Sequence, residues 1–565
     1  MDKRDLSRVH SGIPKLAEYL EQGKLDRREF LRMTTLLGLS AGTAYALAGR
    51  ITGDRAIPVA RAQTPKKGGV ARISMRVQPY DNPATYSWVQ DSNVCRQANE
   101  YLTRTGTDNV TRPLLCEKWE ASDDLKSWTL HLRRDVKWSN GDPFVAEHAV
   151  WNIQRWVDPK VGSSVLGLMK DFLLKEVPTA EKDEQGNPKM SSELWDANAI
   201  EKVDDHTIRL NGKTAQLAIP ENLFHYPALI LHPKDGGKWG PGALGTGAFE
   251  LTEIEVGKKA VLRARKEYWG EGPYLDGIEF IDHGDDANAS VNALDSGQVH
   301  GLYEMSITLK PRIEKIKDVE IRSVATGQTA VARMQPIHKP FDDPRVRKAF
   351  RLALDTEKLL QIAHGGLGAP AEHHHVAPIH PEYAKLPFMK QDVAGAKKLL
   401  AEAGYPDGVT VDFFGKKDPD WEPIAMQAMA QMWKQAGITV NLKVLPSTQY
   451  WEIWDKETHP FAFTTWTHRP LGVMVLGLAY RTGVPWNESK FSNKKFDELL
   501  SKAEGTLDVE QRRAIMAEIE TLMQEEGPIA QPLWRAVPQP FHKSLKGHAA
   551  HPTSYFFGEE WWLDA

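Results

Sequence analysis

Trp128, Leu130 and Leu132 alternate with Ser127, Thr129 and His131, the period-2 pattern of a half-buried strand. A second short strand is expected at 136–138, after the turn pair Arg134-Asp135, and Asn140-Gly141-Asp142-Pro143 supplies the next turn. Beyond Pro143, Phe144, His148, Trp151 or Asn152, Ile153 and Trp156 recur at helical spacing. Residues 116–157 therefore read as strand, turn, strand, turn, helix.

The C-terminal half shows the clearest fold signal. Val409, Val411 and Phe413 alternate as a strand, and Ile424, Ala428, Met432, Trp433 and Ala436 stripe a helix that Gly437 ends. Ile438, Val440, Leu442 and Val444 then alternate again. Strand, crossover helix, strand is the unit of a parallel α/β lobe. Asp343-Pro344 opens a helix with Val346, Phe350 and Ala353 on one face. Ala396, Leu399, Leu400 and Ala403 mark another helix, and Ile515, Ile519, Leu522 and Met523 mark one at 509–526, with methionines as core filler. Upstream, strands are expected at 70–75, 248–254 and 260–264, and the polar stretch 179–188 reads as a surface loop. No repeat of 20 to 50 residues recurs, which argues against a solenoid or propeller.

At 565 residues the chain exceeds what one core serves, so at least two lobes are expected. The composition, 26% charged and 41% hydrophobic, is that of an ordinary soluble protein, and a formal net charge of −4 gives no sign of a nucleic-acid partner. Residues 1–62 differ. Asp26-Arg27-Arg28-Glu29-Phe30-Leu31-Arg32, followed by a mild apolar run at 33–48, has the form of a twin-arginine export signal. Ala60-Arg61-Ala62 offers a cleavage site before Gln63. The run is about 16 residues, short of the roughly 20 that span a bilayer. The segment carries 11 Lys and Arg against 7 Asp and Glu, which leaves 60 against 68 in the remainder, a formal −8. Cys95 and Cys116 are the only cysteines; one disulfide is compatible with export, and spacing leaves the pairing open.

The order acid-x-Trp-x-x-x-Asp-Asp, aromatic strand, Leu132-Arg133-Arg134-Asp135-Val136-Lys137-Trp138, turn, helix resembles the signature block of the family 5 extracellular solute-binding proteins. The stretches 242–280, 292–304, 341–360 and 393–408 resemble further landmarks of that family, in the same order. The resemblance implies a two-lobed α/β periplasmic-binding-protein fold of the large type II, with a small domain inserted in the first lobe. With the signal segment at 1–62 set apart, it implies the first lobe at 63–107 and 233–334, the inserted domain at 108–232, the second lobe at 335–528 and a return segment at 529–565. The expected function is non-enzymatic: capture of a peptide or peptide-like solute between the lobes and delivery to an ABC permease and its ATPase, in the periplasm, by a monomer without cofactor. An anionic opine-like or sugar-acid ligand is the alternative, and an exported metal-binding protein or enzyme is a second.

Relatives direct attention to Tyr80 and Asp81 and to the segment around Trp466. In peptide-binding relatives an acid follows that Trp and pairs with the ligand's ammonium group. Here Trp466 and Thr467 are followed by His468 and Arg469, and an Arg fork suits a carboxylate or phosphate. Tyr80, Asp81, Trp466, Thr467, His468 and Arg469 are thus the candidate ligand-binding residues; as plain turn or loop residues they carry no function. Glu372-His373-His374-His375, with His380, is a candidate metal cluster, but the surrounding prolines favour a solvated loop. No Gly-x-Ser-x-Gly, His-Glu-x-x-His or Cys-x-x-Cys motif is present. The Gly-rich turn Gly245-Thr246-Gly247 lacks the Lys-Ser/Thr and following helix of a phosphate loop.

Overall fold

The computed structural model describes residues 3–53, 64–182 and 188–564. A twelve-stranded mixed sheet runs through both lobes, in the order Phe249–Glu255, Lys259–Ala264, Gly277–Ile281, Val70–Ser74, Gly301–Leu302, Leu533–His542, Val319–Met334, Phe461–Trp466, Val409–Lys416, Ile438–Leu445, with Gly368–Pro370 and Ile529–Ala530 beside it. In the first lobe Val70–Ser74 pairs in parallel with Gly277–Ile281. In the second, Val409–Lys416 and Ile438–Leu445 pair in parallel around the helix Trp421–Gln435, the crossover unit expected from the alternation. The buried face of that helix is Ala425, Met426, Met429, Met432 and Trp433, with Ile424 and Ala428 at its edge.

Two long strands join the lobes. Val319–Met334 pairs with Leu533–His542 from Val319↔His542 to Val324↔Val537, loses register between Val324 and Gln328, and resumes at Gln328↔Arg535. Its first half is partly exposed and its second half is fully buried, so it leaves one core and enters another. Gly327 sits in the irregular stretch, where a Cβ would lie 2.8 Å from the His380 imidazole and 3.2 Å from that of His468. The second lobe has its own core, in which Phe350, Phe413, Trp433 and Phe461 are all fully buried.

Residues 108–232 carry a separate four-stranded sheet, Cys116–Ala121, Ser127–Leu132, Thr207–Asn211, Ile200–Asp204. Trp128, Leu130 and Leu132 are buried as the alternation requires. At 136–138 only an isolated bridge, Lys137↔Pro143, replaces the expected strand. The polar stretch at 179–188 is not a plain loop either: its ends belong to an exposed hairpin, Leu174–Lys182 with Pro188–Leu194, whose polarity comes from having no core behind it. Cys95 and Cys116 are both free and buried. The Cys95 Sγ meets the Tyr86 hydroxyl at 3.2 Å and the Cys116 thiol donates to the Lys118 carbonyl at 3.0 Å.

The helices Lys3–Val9, Ile13–Glu21, Arg27–Leu36 and Ala41–Thr52 pack on this body; the proposed cleavage site at 60–62 lies outside the described residues. Among the described residues, no helix is long and apolar enough to cross a membrane.

Candidate functional site

A cavity of about 190 Å³ lies between the lobes and is lined from both. One wall is aromatic and continuous. Tyr226 and Trp486 have ring centroids 5.6 Å apart, Trp486 meets Trp466 at 5.9 Å and Trp454 at 6.3 Å, and Trp451 links Trp454 to Trp88 at 5.8 Å each. Trp88 and Tyr226 come from the first-lobe side and Trp451, Trp454, Trp466 and Trp486 from the second, so the ring series crosses the cleft. Flat apolar faces of this kind hold ligand by area and stacking.

The opposite wall is charged, and most of its charges are paired. Arg76 binds Asp282 at 3.1 Å, contacts Asp285, and lies 3.7 Å from Asp418. Lys417 reaches Asp285 at 2.6 Å. Asp285 precedes the long crossing strand and Lys417 follows Val409–Lys416, so these pairs hold the two lobes together at the mouth. Lys416 pairs with Glu422, whose carboxyl burial pushes up to about 7 while Lys416 pulls it down. Arg535 pairs with Glu304. Two charges stand apart. Arg469 donates from Nη1 to the Thr467 carbonyl and hydroxyl and to the His468 carbonyl, its Nε has no partner, and its guanidinium lies 5.0 Å over the Tyr226 ring. Asp420 accepts hydroxyls from Ser306 at 2.5 Å and Thr308 at 2.7 Å. Among the described residues, neither has an opposite charge within ion-pair distance.

Trp466 is set by a buried network beneath it. Its indole N–H donates to Glu488 at 2.8 Å; the same carboxylate accepts from the Thr464 hydroxyl at 2.6 Å and from Arg333 at 3.2 Å. Arg333 and Glu488 have side chains 0% and 2% exposed. Burial raises the Glu488 pKa, and Arg333 opposes that shift. The charged pair thus fixes the ring that forms the cleft wall.

Of the residues singled out from sequence, Trp466, Thr467 and Arg469 line the cavity. His468 does not: it points beneath the cleft, where its Nδ1 accepts from the Gly327 amide and its Nε2 meets the Asn109 side chain, each at 3.0 Å. Tyr80 is 4% exposed and packs edge-on against Tyr86 and Trp239, outside the lining. Asp81 is exposed and also outside it, its carbonyl accepting from the Trp239 amide at 2.8 Å. The following segment supplies Ser87, Trp88 and Gln90 instead.

Glu372, His373, His374, His375 and His380 are buried, not solvated as the surrounding prolines suggested. Each imidazole finds a local partner through Nδ1: His373 accepts from the Gln531 amide, His374 from Val376 and His380 from Ala377, while His375 bonds the Tyr480 hydroxyl. The rings point to different neighbours. Among the described residues, no group of three or more His, Cys, Asp or Glu is arranged to hold a metal ion.

Three comparisons bear on this geometry. The family model for bacterial extracellular solute-binding proteins, family 5, matches residues 110–481. The dipeptide-binding protein DppE of Bacillus subtilis is 25% identical over 546 residues, covering 92% of this chain and 97% of DppE. Among solved structures, the AgaA binding protein of A. tumefaciens R10 with agropinic acid superposes with a TM-score of 0.77 at 21% identity, covering 88% of this chain and 99% of AgaA. The Helicobacter pylori periplasmic binding protein DppA with the peptide STSA gives 0.75 at 18%, covering 88% and 99%. The fold of both is the two-lobed one seen here.

Proposed function

This chain belongs to the family 5 bacterial extracellular solute-binding proteins, and from that premise we propose that it captures a peptide or peptide-like small solute in the cleft between its lobes. A member of this family is the solute-binding component of an ABC importer. The observation that carries the reading is the cavity lined by residues of both lobes, since such a site gains contacts from both walls only when shut. The two unmatched charges support a ligand bearing both signs. Arg469 suits a carboxylate, and Asp420 suits an ammonium group.

A second reading, an anionic opine-like or sugar-acid solute, is favoured by the missing acid at 468 and 469. The two differ at Asp420. Arg469→Gln weakens binding of the copurifying solute by about one to two decades in either case, because a hydrogen bond to a charged group is worth about 1.5–3 kcal/mol. Asp420→Asn costs a comparable factor for a peptide and nothing for an anion. Calorimetry on both variants decides; undiminished affinity in Arg469→Gln sinks both readings of that residue.

Delivery to a membrane permease with its ATPase and export by the twin-arginine route complete the proposal. Arg27 and Arg28 open the helix Arg27–Leu36, with Arg28 exposed and Arg27 half-buried. Arg27→Lys with Arg28→Lys retains the precursor in the cytoplasm, and the exported wild-type protein begins at Gln63. N-terminal sequencing that finds Met1 on exported protein overturns this.

A further inference from the structure

The helices before residue 53 make directed contacts with two parts of the body. On the inserted domain, the Trp119 indole donates to the Leu36 carbonyl at 2.8 Å, the Ser11 hydroxyl donates to Asp123 at 2.6 Å and the Tyr45 hydroxyl to Asp108 at 2.6 Å. At Gly38, φ is +93° and a Cβ would lie 2.9 Å from the Trp119 carbonyl oxygen, so that close approach needs glycine. On the second lobe, Lys15 and Tyr19 both reach Asp508, at 2.5 and 2.7 Å, and Glu29 pairs with Arg513 at 2.8 Å. The apolar residues of Arg27–Leu36 are covered: Phe30, Met33 and Leu36 are fully buried and Leu31 is 4% exposed. Only the first turn stays in solvent: Arg28 is exposed, whereas Arg32 and Thr35, on the same side of the helix, are buried.

We propose that the folded body sheathes the apolar face of its own N-terminal segment. The full-length chain then presents Arg28 while withholding from lipid the face formed by Phe30, Met33 and Leu36, until the contacts with Trp119 and Arg513 break. The same segment joins the inserted domain to the second lobe, so its docking also holds those two parts of the cleft scaffold in one arrangement. An apolar helix face partitions into a bilayer surface only when free of competing apolar contact, and here the body is the competitor. The consequence for membrane contact rests on reading 1–62 as an export leader; the docking does not.

The test uses full-length protein. Trypsin is expected to cut after Arg27, Arg28 and Arg32 at least tenfold more slowly than in a synthetic peptide of residues 20–52. Arg513→Glu, which sets two acids against each other at the Glu29 contact, raises the rate toward that of the peptide and increases flotation with phosphatidylglycerol vesicles. Pairing it with Glu29→Lys restores both, which general loosening of the body would not do. Should Arg513→Glu prove unfolded by its melting curve, Lys15→Glu against Asp508 gives the same readout from the leader side. Wild-type cleavage at the peptide's rate, or no response in either variant, overturns the proposal. A protected segment that is nevertheless retained on the exported protein sinks the leader reading and leaves the docking intact.

Discussion

Glu488→Ala is expected to lower the stability of the unliganded protein by about 3–5 kcal/mol, the cost of stranding a buried charge. The pair is 0% and 2% exposed, so solvent cannot re-hydrate Arg333 in place. Arg333 keeps its bonds to the His459 and Trp454 carbonyls, which hold it in the interior without neutralising it. The loss reaches the ligand as well, because the Trp466 indole and the Thr464 hydroxyl lose their acceptor together and the ring is no longer fixed. Replacing both members, Arg333→Met with Glu488→Leu, recovers much of the stability, since an apolar pair of similar size carries no stranded charge. Urea unfolding of the wild type and the two variants measures this; a loss below about 1 kcal/mol in Glu488→Ala contradicts it.

Acid is expected to destabilise the buried histidine cluster. Burial lowers His373 and His374 to about 3 and His380 to about 4, and holds His375 and His468 well below the usual range. These rings are neutral in the folded protein and titrate near 6.5 when unfolded. Their contribution is therefore complete above pH 6.5 and is lost as pH falls toward 4, by up to about 1.4 kcal/mol per group per pH unit. Nearby Glu520, pushed up to about 9 by burial, and Glu372, also raised, work in the opposite sense, since a carboxyl protonated in the fold favours it as pH drops. His373 isolates the effect. It faces Arg351 and His374, and in His373→Asn the amide oxygen is expected to accept the Gln531 N–H in its place. Relative to wild type, His373→Asn gains about 3 kcal/mol between pH 6.5 and 4. Parallel stability curves for the two proteins across that range contradict the assignment.

The elements legible in the sequence are those in which one face meets a core. Trp128, Leu130 and Leu132 alternate because that sheet is covered on one side, and Val346 and Phe350 recur because their helix is too. The crossing strand Val319–Met334 escapes this logic: it is partly exposed for half its length and buried on both faces for the rest, so no single period describes it. The histidine run misleads for a related reason. Its composition is polar, but His373 and His375 sit at φ of 62° and 61°, a tight path that aims each ring inward. Trp466, Thr467 and Arg469 were reachable through the resemblance. Arg76, Trp88, Tyr226 and Trp486 were not, because they come from four separated segments and meet only when the lobes do. The pairing of Arg469 with Asp420 as unmatched charges is likewise a property of the cavity.

The central claim is that the cleft holds a small solute whose charges meet Arg469 and Asp420. Native mass spectrometry of the protein isolated from the exported fraction tests it most directly. An adduct of small-solute mass is expected, one that denaturation releases, that wild type retains, and that Arg469→Gln loses. An adduct held equally by Arg469→Gln, or a wild-type protein that carries no solute and takes up none from a peptide digest, would contradict it.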